Sequence, residues 1–204
     1  MGEDVFKLLI ATHNSGKIAE LKSLFGRLPV RLFSLRDFEN ITSIEETGTT
    51  FEENARLKAR GYAIQTGTCA LADDSGLEIA ALNNAPGVIS ARYAGENSGF
   101  DEKMEKVLAQ LDRTGDLIRA ARFVCVMALA GEDGNILFTA KGVCEGTIAE
   151  KPRGTNGFGY DPIFVPAGFK YTFGELPEDI KRKISHRGRA SAIIIRYLLD
   201  FIAV

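Results

Sequence analysis

The sequence predicts an α/β protein in which helices flank a long, twisted, mixed β-sheet. Early in the chain, short apolar segments alternate with helical patterns, which is typical of parallel strand–helix–strand units. Later, the long apolar segments 121–130 and 136–149 are separated by the turn sequence GEDGN, which predicts an antiparallel hairpin. Parallel units and a hairpin in one chain indicate a mixed sheet.

The start of the chain contains the predicted parallel units. Residues 6–11 are a short apolar segment and are predicted to be a buried strand. Apolar side chains then recur at helical spacing over residues 18–28, and residues 31–35 are predicted to be a second strand. This order of elements favours a parallel pair of strands, because the intervening helix supplies the crossover.

The remaining elements follow from capping and apolar patterns. Thr49 and Thr50 each stand three residues before a glutamate, which predicts a capping box and a helix that ends near residue 65. Residues 69–72 are predicted to be a short apolar strand. Three later segments complete the prediction: a helix over residues 101–111, a short strand at 163–165 and a helix over about 189–202.

Composition and charge exclude several classes of partner. The chain has 204 residues and a formal net charge of −2, so no general attraction to nucleic acid or to an anionic membrane is expected. No apolar segment reaches the roughly 18 residues of a membrane helix, and the N-terminus lacks a signal-peptide pattern. We therefore expect a single domain over residues 1–204, with two lobes that the sequence does not separate.

Cysteine and histidine usage restricts the metal chemistry. Cys69, Cys125 and Cys144 lie in apolar surroundings without C-x-x-C spacing, which predicts buried free thiols in a reducing cytoplasm. The chain has two histidines, His13 and His186, so a histidine-rich zinc site is almost excluded. The sequence still allows a magnesium site built from oxygen ligands.

The segment ATHNSGK, at the first strand-to-helix junction, is a candidate anion site. Unpaired N–H groups at a helix start favour an anion, Gly16 permits close backbone approach, and Lys17 adds a full positive charge. The segment lacks the G-x-x-x-x-G-K-[ST] spacing, so it is not a P-loop. The other interpretation is an ordinary capped helix, with Asn14 or Ser15 as the cap.

Two acidic segments are candidates for metal binding. Asp73 and Asp74 directly follow a predicted buried strand, where carboxylates need cations or metal, unless they cap a turn. Because side chains alternate along a strand, only one of the two is expected to serve a given site. Glu45 and Glu46 lie in the loop before the capped helix that carries Lys58, and magnesium needs only one or two carboxylates. Taken alone, these charges are also typical of a solvated face.

Residues 154–162 and 179–190 supply an aromatic side chain and the densest basic cluster. Glycines on both sides of Phe158 leave its ring open to a planar heterocycle, and such stacking is worth roughly 1–3 kcal/mol. The alternatives are core packing for Phe158 and a solvated helix end for the basic cluster. Together, a phosphate turn, carboxylates, an aromatic face and cations indicate magnesium-assisted chemistry on a nucleoside triphosphate.

The order of these motifs resembles the inosine/xanthosine triphosphate pyrophosphatase family, which hydrolyses non-standard purine nucleoside triphosphates to monophosphate and pyrophosphate. The segments that carry the resemblance span nearly the full chain and are ATHNSGK, EETGTTFEENARLKA, LADDSGLEI, APGVISARYAG, TNGFGYDPIF and ISHRG. The resemblance implies an active-site cleft between two lobes, bound Mg²⁺ and a homodimer. His13 stands where many relatives have glycine.

The resemblance also implies roles for individual residues. Asp74 is similar to the family's general base, and Lys17 to its phosphate cation. Glu45 and Asp74 take the metal positions, with Glu46 and Asp73 as neighbours that could exchange roles. The substrate contacts that it implies are Thr12, His13, Asn14, Ser15, Gly16, Lys17, Lys58, Ser75, Phe158, Gly159, Tyr160, Asp161, Lys181, His186 and Arg187.

Two other functions stay open. A related pyrophosphatase family cleaves modified pyrimidine nucleotides, but the segments FGYDP and SHRG argue against it. A non-catalytic nucleotide-binding protein would need the phosphate turn but not the carboxylates.

Overall fold

The structure is a computed structural model and describes residues 5–202. Within these residues, the α-helices are α1 (Ser15–Phe25), α2 (Phe51–Thr66), α3 (Phe100–Thr114), α4 (Glu178–Ile184) and α5 (His186–Ile202). The strands are β1 (Phe6–Ile10), β2 (Val30–Ser34), β3 (Ala70–Ile79), β4 (Ala120–Ala130), β5 (Ile136–Ile148) and β6 (Phe164–Pro166). None of the helices in this part of the chain is long and apolar enough to cross a membrane.

The strands form one mixed sheet in the order β2-β1-β3-β4-β5-β6. β1 pairs in parallel with β2 and with β3, and β6 pairs antiparallel with β5. β4 and β5 are neighbours joined by a tight turn, in which Gly131 N–H donates to Asn135 O at 2.9 Å. The predicted α/β class with a mixed sheet is confirmed.

Two helices are capped by residues that the sequence identifies as cap candidates. Asn14 Oδ1 accepts an N–H of the first turn of α1 at 3.0 Å, so Asn14 rather than Ser15 is the cap. Thr50 Oγ1 accepts from Glu53 N–H at 3.1 Å, and Glu53 Oε2 accepts from Thr50 N–H at 3.0 Å. Thr50 rather than Thr49 therefore caps α2, in the reciprocal arrangement of a capping box.

Two boundaries and one helix differ clearly from the sequence prediction. β3 does not stop at residue 72 but continues through the acidic pair to Ile79. Both carboxylates meet cations inside the protein, so they are tolerated within a strand. α5 begins at His186, before the predicted start near Arg189, and α4 has no counterpart in the sequence prediction. Both helices place basic side chains in buried positions, which apolar spacing does not reveal.

The chain divides into two compact units. The first comprises the chain up to Asp74, residues 125–142 and the chain from Arg187 on, and the second comprises residues 75–124 and 143–186. The buried core of the first unit includes Leu8, Ile10, Leu21, Phe25, Leu71, Met127, Ala190, Ile194 and Leu198. That of the second includes Leu77, Ile79, Met104, Val107, Leu111, Phe123, Ile163, Phe164 and Phe173. Each unit therefore has its own hydrophobic core.

The three cysteines match their prediction. Cys69, Cys125 and Cys144 are buried and form no disulfide. Cys69 and Cys125 belong to the core of the first unit, and Cys144 to that of the second. They act as small apolar core residues.

Candidate active site

The predicted anion-binding residues, 12–17, lie in the turn between β1 and α1 and in the first turn of α1; together they form the phosphate turn. Thr12 Oγ1 accepts from Asn14 N–H at 3.2 Å, and Asn14 in turn caps the helix. Ser15 and Gly16 are the first two residues of α1. Lys17 extends from the first turn of α1 to β3, where its Nζ lies 3.1 Å from Asp73 Oδ2. The turn therefore combines a capped helix start with a cation fixed at the acidic pair.

Asp73 is committed to structural ion pairs. Its side chain is 0% exposed and lies 3.1 Å from Lys17 Nζ and 3.0 Å from Arg187 Nη2. Arg187 Nη1 also contacts Glu20 Oε2 at 2.6 Å. Burial opposes ionisation of Asp73, but Lys17 and Arg187 outweigh it and hold the pKa of this carboxyl well below its usual range. Asp73 is therefore charged at neutral pH and joins the phosphate turn to the start of α5.

Asp74 has the opposite electrostatic character, although it is the next residue. Its side chain is 7% exposed; Oδ1 lies 3.4 Å from Lys58 Nζ, and Oδ2 accepts from Asn54 Nδ2 at 3.3 Å. Burial raises the pKa of Asp74, and Lys58 and Lys17 only partly offset that rise. A buried carboxylate with a raised pKa beside a cation is a candidate proton acceptor.

Lys58 joins Asp74 to the acidic loop. Its Nζ lies 3.1 Å from Glu46 Oε1 and 3.4 Å from Asp74 Oδ1. Burial lowers the pKa of Lys58, but Asp74 and Glu46 outweigh it, so the net shift is upward and the ammonium stays charged. Two carboxylates from different elements therefore converge on one point of positive charge.

The loop before α2, residues 42–48, lies along that helix. Side chains of α2 hold every second residue of this loop. The hydrogen bonds that do so are Thr42 N–H to Gln65 Oε1 (2.8 Å), Gln65 Nε2 to Thr42 O (2.9 Å), Ile44 N–H to Tyr62 Oη (3.3 Å), Lys58 Nζ to Glu46 Oε1 (3.1 Å) and Gly48 N–H to Asn54 Oδ1 (2.7 Å). Glu46 thus faces α2, whereas Glu45 is exposed and, within residues 5–202, makes no ion pair.

The carboxylates of Asp74 and Glu46 offer oxygen ligands, which hard divalent cations prefer. Asp74 and Glu46 are both paired with Lys58, whereas Glu45 makes no salt bridge within residues 5–202. No group of three or more His, Cys, Asp or Glu side chains with metal-binding geometry occurs in residues 5–202. Mg²⁺ keeps several waters and binds through one or two carboxylates plus substrate phosphates, so a complete protein cage is not required.

In the second unit, Asp161 organises the predicted base-binding segment. Asp161 Oδ2 accepts from Phe158 N–H at 2.7 Å and from Lys181 Nζ at 2.6 Å. Lys181 Nζ lies 5.0 Å from the centroid of the Phe158 ring. Gly157 has φ +72°, and a Cβ there would overlap Asp161 Oδ2, so only glycine fits this turn. Phe158 is half-buried rather than a core residue.

Four other predicted contact residues lie in the second unit, two of them buried and two half-buried. Tyr160 is 3% exposed, and its hydroxyl donates to Ser90 O at 2.9 Å. The His186 ring stacks on Phe123 with centroids 4.6 Å apart and an interplanar angle of 15°. Gly159 and Ser75 are half-buried. Tyr160 and His186 are thus held firmly by their surroundings.

The interpretation of the basic cluster as a solvated helix end is wrong for three of its members. Lys181, His186 and Arg187 are 6%, 5% and 2% exposed. Lys181 is paired with Asp161 and Arg187 with Asp73, which compensates the burial of their charges.

Sequence reasoning missed three residues that shape the site. Asn54 is fully buried between Gly48 and Asp74, Tyr62 contacts both Ile44 and His13, and Glu20 pairs with Arg187. The spacing of Asn54, Lys58 and Tyr62, four residues apart on α2, places them on one helix face. That spacing was a usable signal, whereas the pairing of Glu20 depends on the tertiary fold.

The fold and the site define a class of protein, an α/β protein that combines a phosphate-type turn with a buried carboxylate pair. Comparison with known proteins identifies the family. The sequence model of the Ham1 family matches residues 8–197, and the chain belongs to that family.

Individual relatives match nearly the full chain. A dITP/XTP pyrophosphatase of Coxiella burnetii (strain RSA 493 / Nine Mile phase I) is 49% identical over 91% of this chain and 93% of that protein. A dITP/XTP pyrophosphatase of Bacillus anthracis is 47% identical over 90% of this chain and 92% of that protein. The solved structure of a HAM1 protein from Coxiella burnetii matches with a TM-score of 0.88 and 46% identity, covering 96% of this chain and 99% of that one. These comparisons confirm the family resemblance predicted from the motifs.

Proposed function

We propose that this protein hydrolyses non-standard purine nucleoside triphosphates, namely XTP, dITP and ITP, to the nucleoside monophosphate and pyrophosphate. The observation that carries the proposal is the pair of adjacent buried carboxylates with different partners: Asp73 lies between Lys17 and Arg187, whereas Asp74 contacts Lys58 and the amide of Asn54. In keeping with these contacts, the pKa is lowered at Asp73 and raised at Asp74. Environments that separate two carboxylates in this way assign them different roles. The relatives described as dITP/XTP pyrophosphatases support the choice of substrate.

In this proposal Asp74 is the general base. It accepts a proton from the water that attacks the α-phosphorus, a role typically worth about 10²–10⁴-fold in rate. Asn54 donates to Oδ2 and Lys58 contacts Oδ1, so the carboxylate is held in one orientation. Asp73 does not take over the role of general base from Asp74, because the carboxylate of Asp73 is already paired with Lys17 and Arg187.

Glu45 and Asp74 would hold Mg²⁺. When bound, the ion supplies charge neutralisation at the phosphates and orients the attacking water. Glu45 suits this role because it lies in the loop that α2 holds and, among residues 5–202, has no cation partner of its own. Glu46 is a neighbour of this site, because its side chain faces α2 and its Oε1 lies 3.1 Å from Lys58 Nζ.

The phosphate turn holds the triphosphate and stabilises the departing pyrophosphate. The N–H groups at the start of α1 face the anion, and Lys17 contributes a charge that Asp73 keeps in place. Thr12, His13, Asn14, Ser15 and Gly16 belong to the same contact surface. Arg187, which shares Asp73 with Lys17, adds a second fixed cation.

Base selectivity is assigned to Phe158 and the groups around it. One face of the ring would stack on the purine, and Lys181, which Asp161 holds, lies over the ring with its Nζ 5.0 Å from the centroid. Hypoxanthine and xanthine carry a 6-keto oxygen, whereas adenine carries a 6-amino group. A site that offers donors there, from backbone N–H groups or His186, accepts the keto bases and leaves adenine without a partner. Guanine also has the 6-keto group, so its rejection would require crowding or a missing acceptor at its 2-amino group.

The test is an assay of substrates and leaving groups. The protein is incubated with Mg²⁺ and dITP, XTP, ITP, a modified pyrimidine nucleoside triphosphate or each of the four standard dNTPs; the released anion is identified, and nucleotide binding is measured in parallel. We expect pyrophosphate from the non-standard purine nucleotides. Release of orthophosphate, or equal turnover of dATP, would refute the proposal. Preferred turnover of modified pyrimidine nucleotides would support the related pyrophosphatase instead, and binding without turnover would support a nucleotide-binding protein.

The proposal also covers the oligomeric state and the cellular location of the protein. We propose a cytoplasmic homodimer, with a single pyrophosphatase domain over residues 1–204 and no nucleic-acid or membrane partner. Light scattering coupled to gel filtration tests the dimer directly. A mass of one chain, 22.2 kDa, at micromolar concentration would contradict it.

A further inference from the structure

His13 makes a specific contact away from the phosphate turn in which it lies. Its Nε2 is 3.2 Å from the hydroxyl of Tyr62, and the two rings meet edge to face with centroids 6.0 Å apart. Tyr62 lies on α2 and is 2% exposed, so its hydroxyl is fixed by packing. The turn and α2 are therefore joined by one hydrogen bond between side chains of the first unit.

The same hydroxyl also contacts the acidic loop. Ile44 N–H donates to Tyr62 Oη at 3.3 Å. Because the hydroxyl accepts from Ile44 and carries one proton of its own, it can donate that proton to Nε2 of a neutral His13. The Ile44 side chain packs so closely against Gly61 that a Cβ added there would overlap Ile44 Cδ1. Ile44 is thus held on two sides, directly before Glu45 in the chain.

The other contacts that hold the loop do not involve the phosphate turn. Gln65 holds Thr42, Lys58 holds Glu46, and the Asn54 side chain holds Gly48. The Tyr62 hydroxyl is hydrogen-bonded both to the loop, at Ile44, and to the phosphate turn, at His13. His13, Tyr62 and the Ile44 amide therefore form a continuous hydrogen-bonded path, which we call the relay.

We propose that the relay is a positioning device that couples occupation of the phosphate turn to the placement of the loop carrying Glu45. This inference rests on the proposed function, in which the turn binds the triphosphate and the loop supplies a metal ligand. A phosphate group bound to the turn fixes the backbone at His13, and the relay transmits this restraint to Ile44. A loop that is already ordered loses less conformational freedom when it takes up a metal ion.

Coupling of this kind is reciprocal and can be measured as a ratio of affinities. Mn²⁺ serves as the probe, and its binding is followed by electron paramagnetic resonance with and without α,β-methylene dITP, which lacks the scissile oxygen. In the proposed function the metal would also contact the phosphates, so wild type sets the reference ratio. Loss of one neutral hydrogen bond predicts a ratio lower by about three- to tenfold in His13→Ala and in Tyr62→Phe. The double variant should show no further loss, because both substitutions break one path.

Three control variants separate positioning from general damage. Gln at position 13 reaches about as far as Nε2 of the imidazole, whereas Asn reaches only as far as Nδ1, so His13→Gln should restore the ratio and His13→Asn should not. Gln65→Ala loosens the loop at Thr42, away from the turn. It should weaken Mn²⁺ binding equally with and without the nucleotide analogue, and so leave the ratio unchanged.

Hydrogen exchange supplies a readout that needs no metal and no turnover. Binding of the analogue should slow exchange of the Ile44 amide in wild type and not in His13→Ala or Tyr62→Phe. An unchanged affinity ratio and unchanged protection in those variants, or equal rescue by Gln and Asn, would overturn the relay.

The outcomes also distinguish the relay from the proposed function. A wild-type protein that releases pyrophosphate, but whose coupling is insensitive to His13, refutes the relay alone. A wild-type protein that releases none, but whose Ile44 protection depends on His13, supports the relay and refutes the proposed function.

Discussion

Substituting Asp73 and Asp74 one at a time by asparagine should give opposite results. Asp73→Asn keeps the shape of the side chain but removes the charge that neutralises Lys17 and Arg187. Removing one partner of a buried ion pair costs about 3–5 kcal/mol of folding free energy. Lys17 is 14% exposed, and Arg187 keeps Glu20 at 2.6 Å, so both cations retain some compensation. We therefore expect the lower end, about 3 kcal/mol, or a fall in Tm of about 6–12 °C for a chain of this size.

Asp74→Asn is the matched control at the neighbouring position. Burial raises the pKa of Asp74, so its charged form is not strongly stabilised by the fold. Its amide substitute should change the free energy of unfolding by no more than about 1 kcal/mol. Turnover, in contrast, should fall by about 10²–10⁴-fold, while nucleotide binding stays measurable.

The pH dependence of the Asp73 variant provides a second check. The pKa of Asp73 is lowered by folding, so its contribution to stability is present above the unfolded pKa, near 3.8. The difference in unfolding free energy between wild type and Asp73→Asn should be constant from about pH 5 to pH 8. It should shrink as the pH falls below about 4 and approaches the folded pKa. Denaturant titrations measure it, and a stable Asp73→Asn variant, or a difference that grows on acidification, would refute the assignment.

Three further predictions concern the substrate site. Phe158→Ala removes the stacking surface and should raise KM about tenfold with a smaller effect on kcat, whereas Phe158→Tyr keeps the ring and should keep KM; a pure kcat defect would argue against stacking. Gly157→Ala places a Cβ where it overlaps Asp161 Oδ2 and puts alanine at a positive φ. Because Asp161 holds Lys181, the substitution should displace Lys181 and lower kcat/KM by more than about tenfold, and wild-type kinetics would contradict this geometry. Chelation of divalent metal should abolish turnover, Mg²⁺ should restore it, and circular dichroism should not change; turnover in excess chelator would exclude the metal.

Local patterns predicted the elements that local interactions determine. The capping box at Thr50, the cap at Asn14 and the hairpin turn of residues 131–135 each depend on a few neighbouring residues. The length of β3 could not be predicted in this way. Whether Asp73 and Asp74 end a strand depends on cations far away in the chain, up to 114 positions in the case of Arg187.

The directions in which side chains of the candidate site point could not be predicted from local patterns either. The sequence places Glu45 and Glu46 in one loop but does not say which of them faces α2. That choice follows from the alternation of an extended segment laid along a helix, with Tyr62 and Gln65 holding Ile44 and Thr42. The relay through His13 was likewise invisible, because a histidine in a polar turn has no local pattern that points to a tyrosine on another element.

The pairing of Arg187 with Asp73 has a consequence for the order of events during synthesis. On the ribosome, β1, α1 and β3 emerge long before α5, so for most of translation Asp73 has Lys17 as a counter-ion but not Arg187. The same delay affects packing, because Ala190, Ile194 and Leu198 complete the apolar core around Leu8 and Ile10. The second unit, by contrast, is fully translated by residue 186. The unit that begins the chain is thus completed after the other, and Asp73 gains its second counter-ion only when α5 has been made.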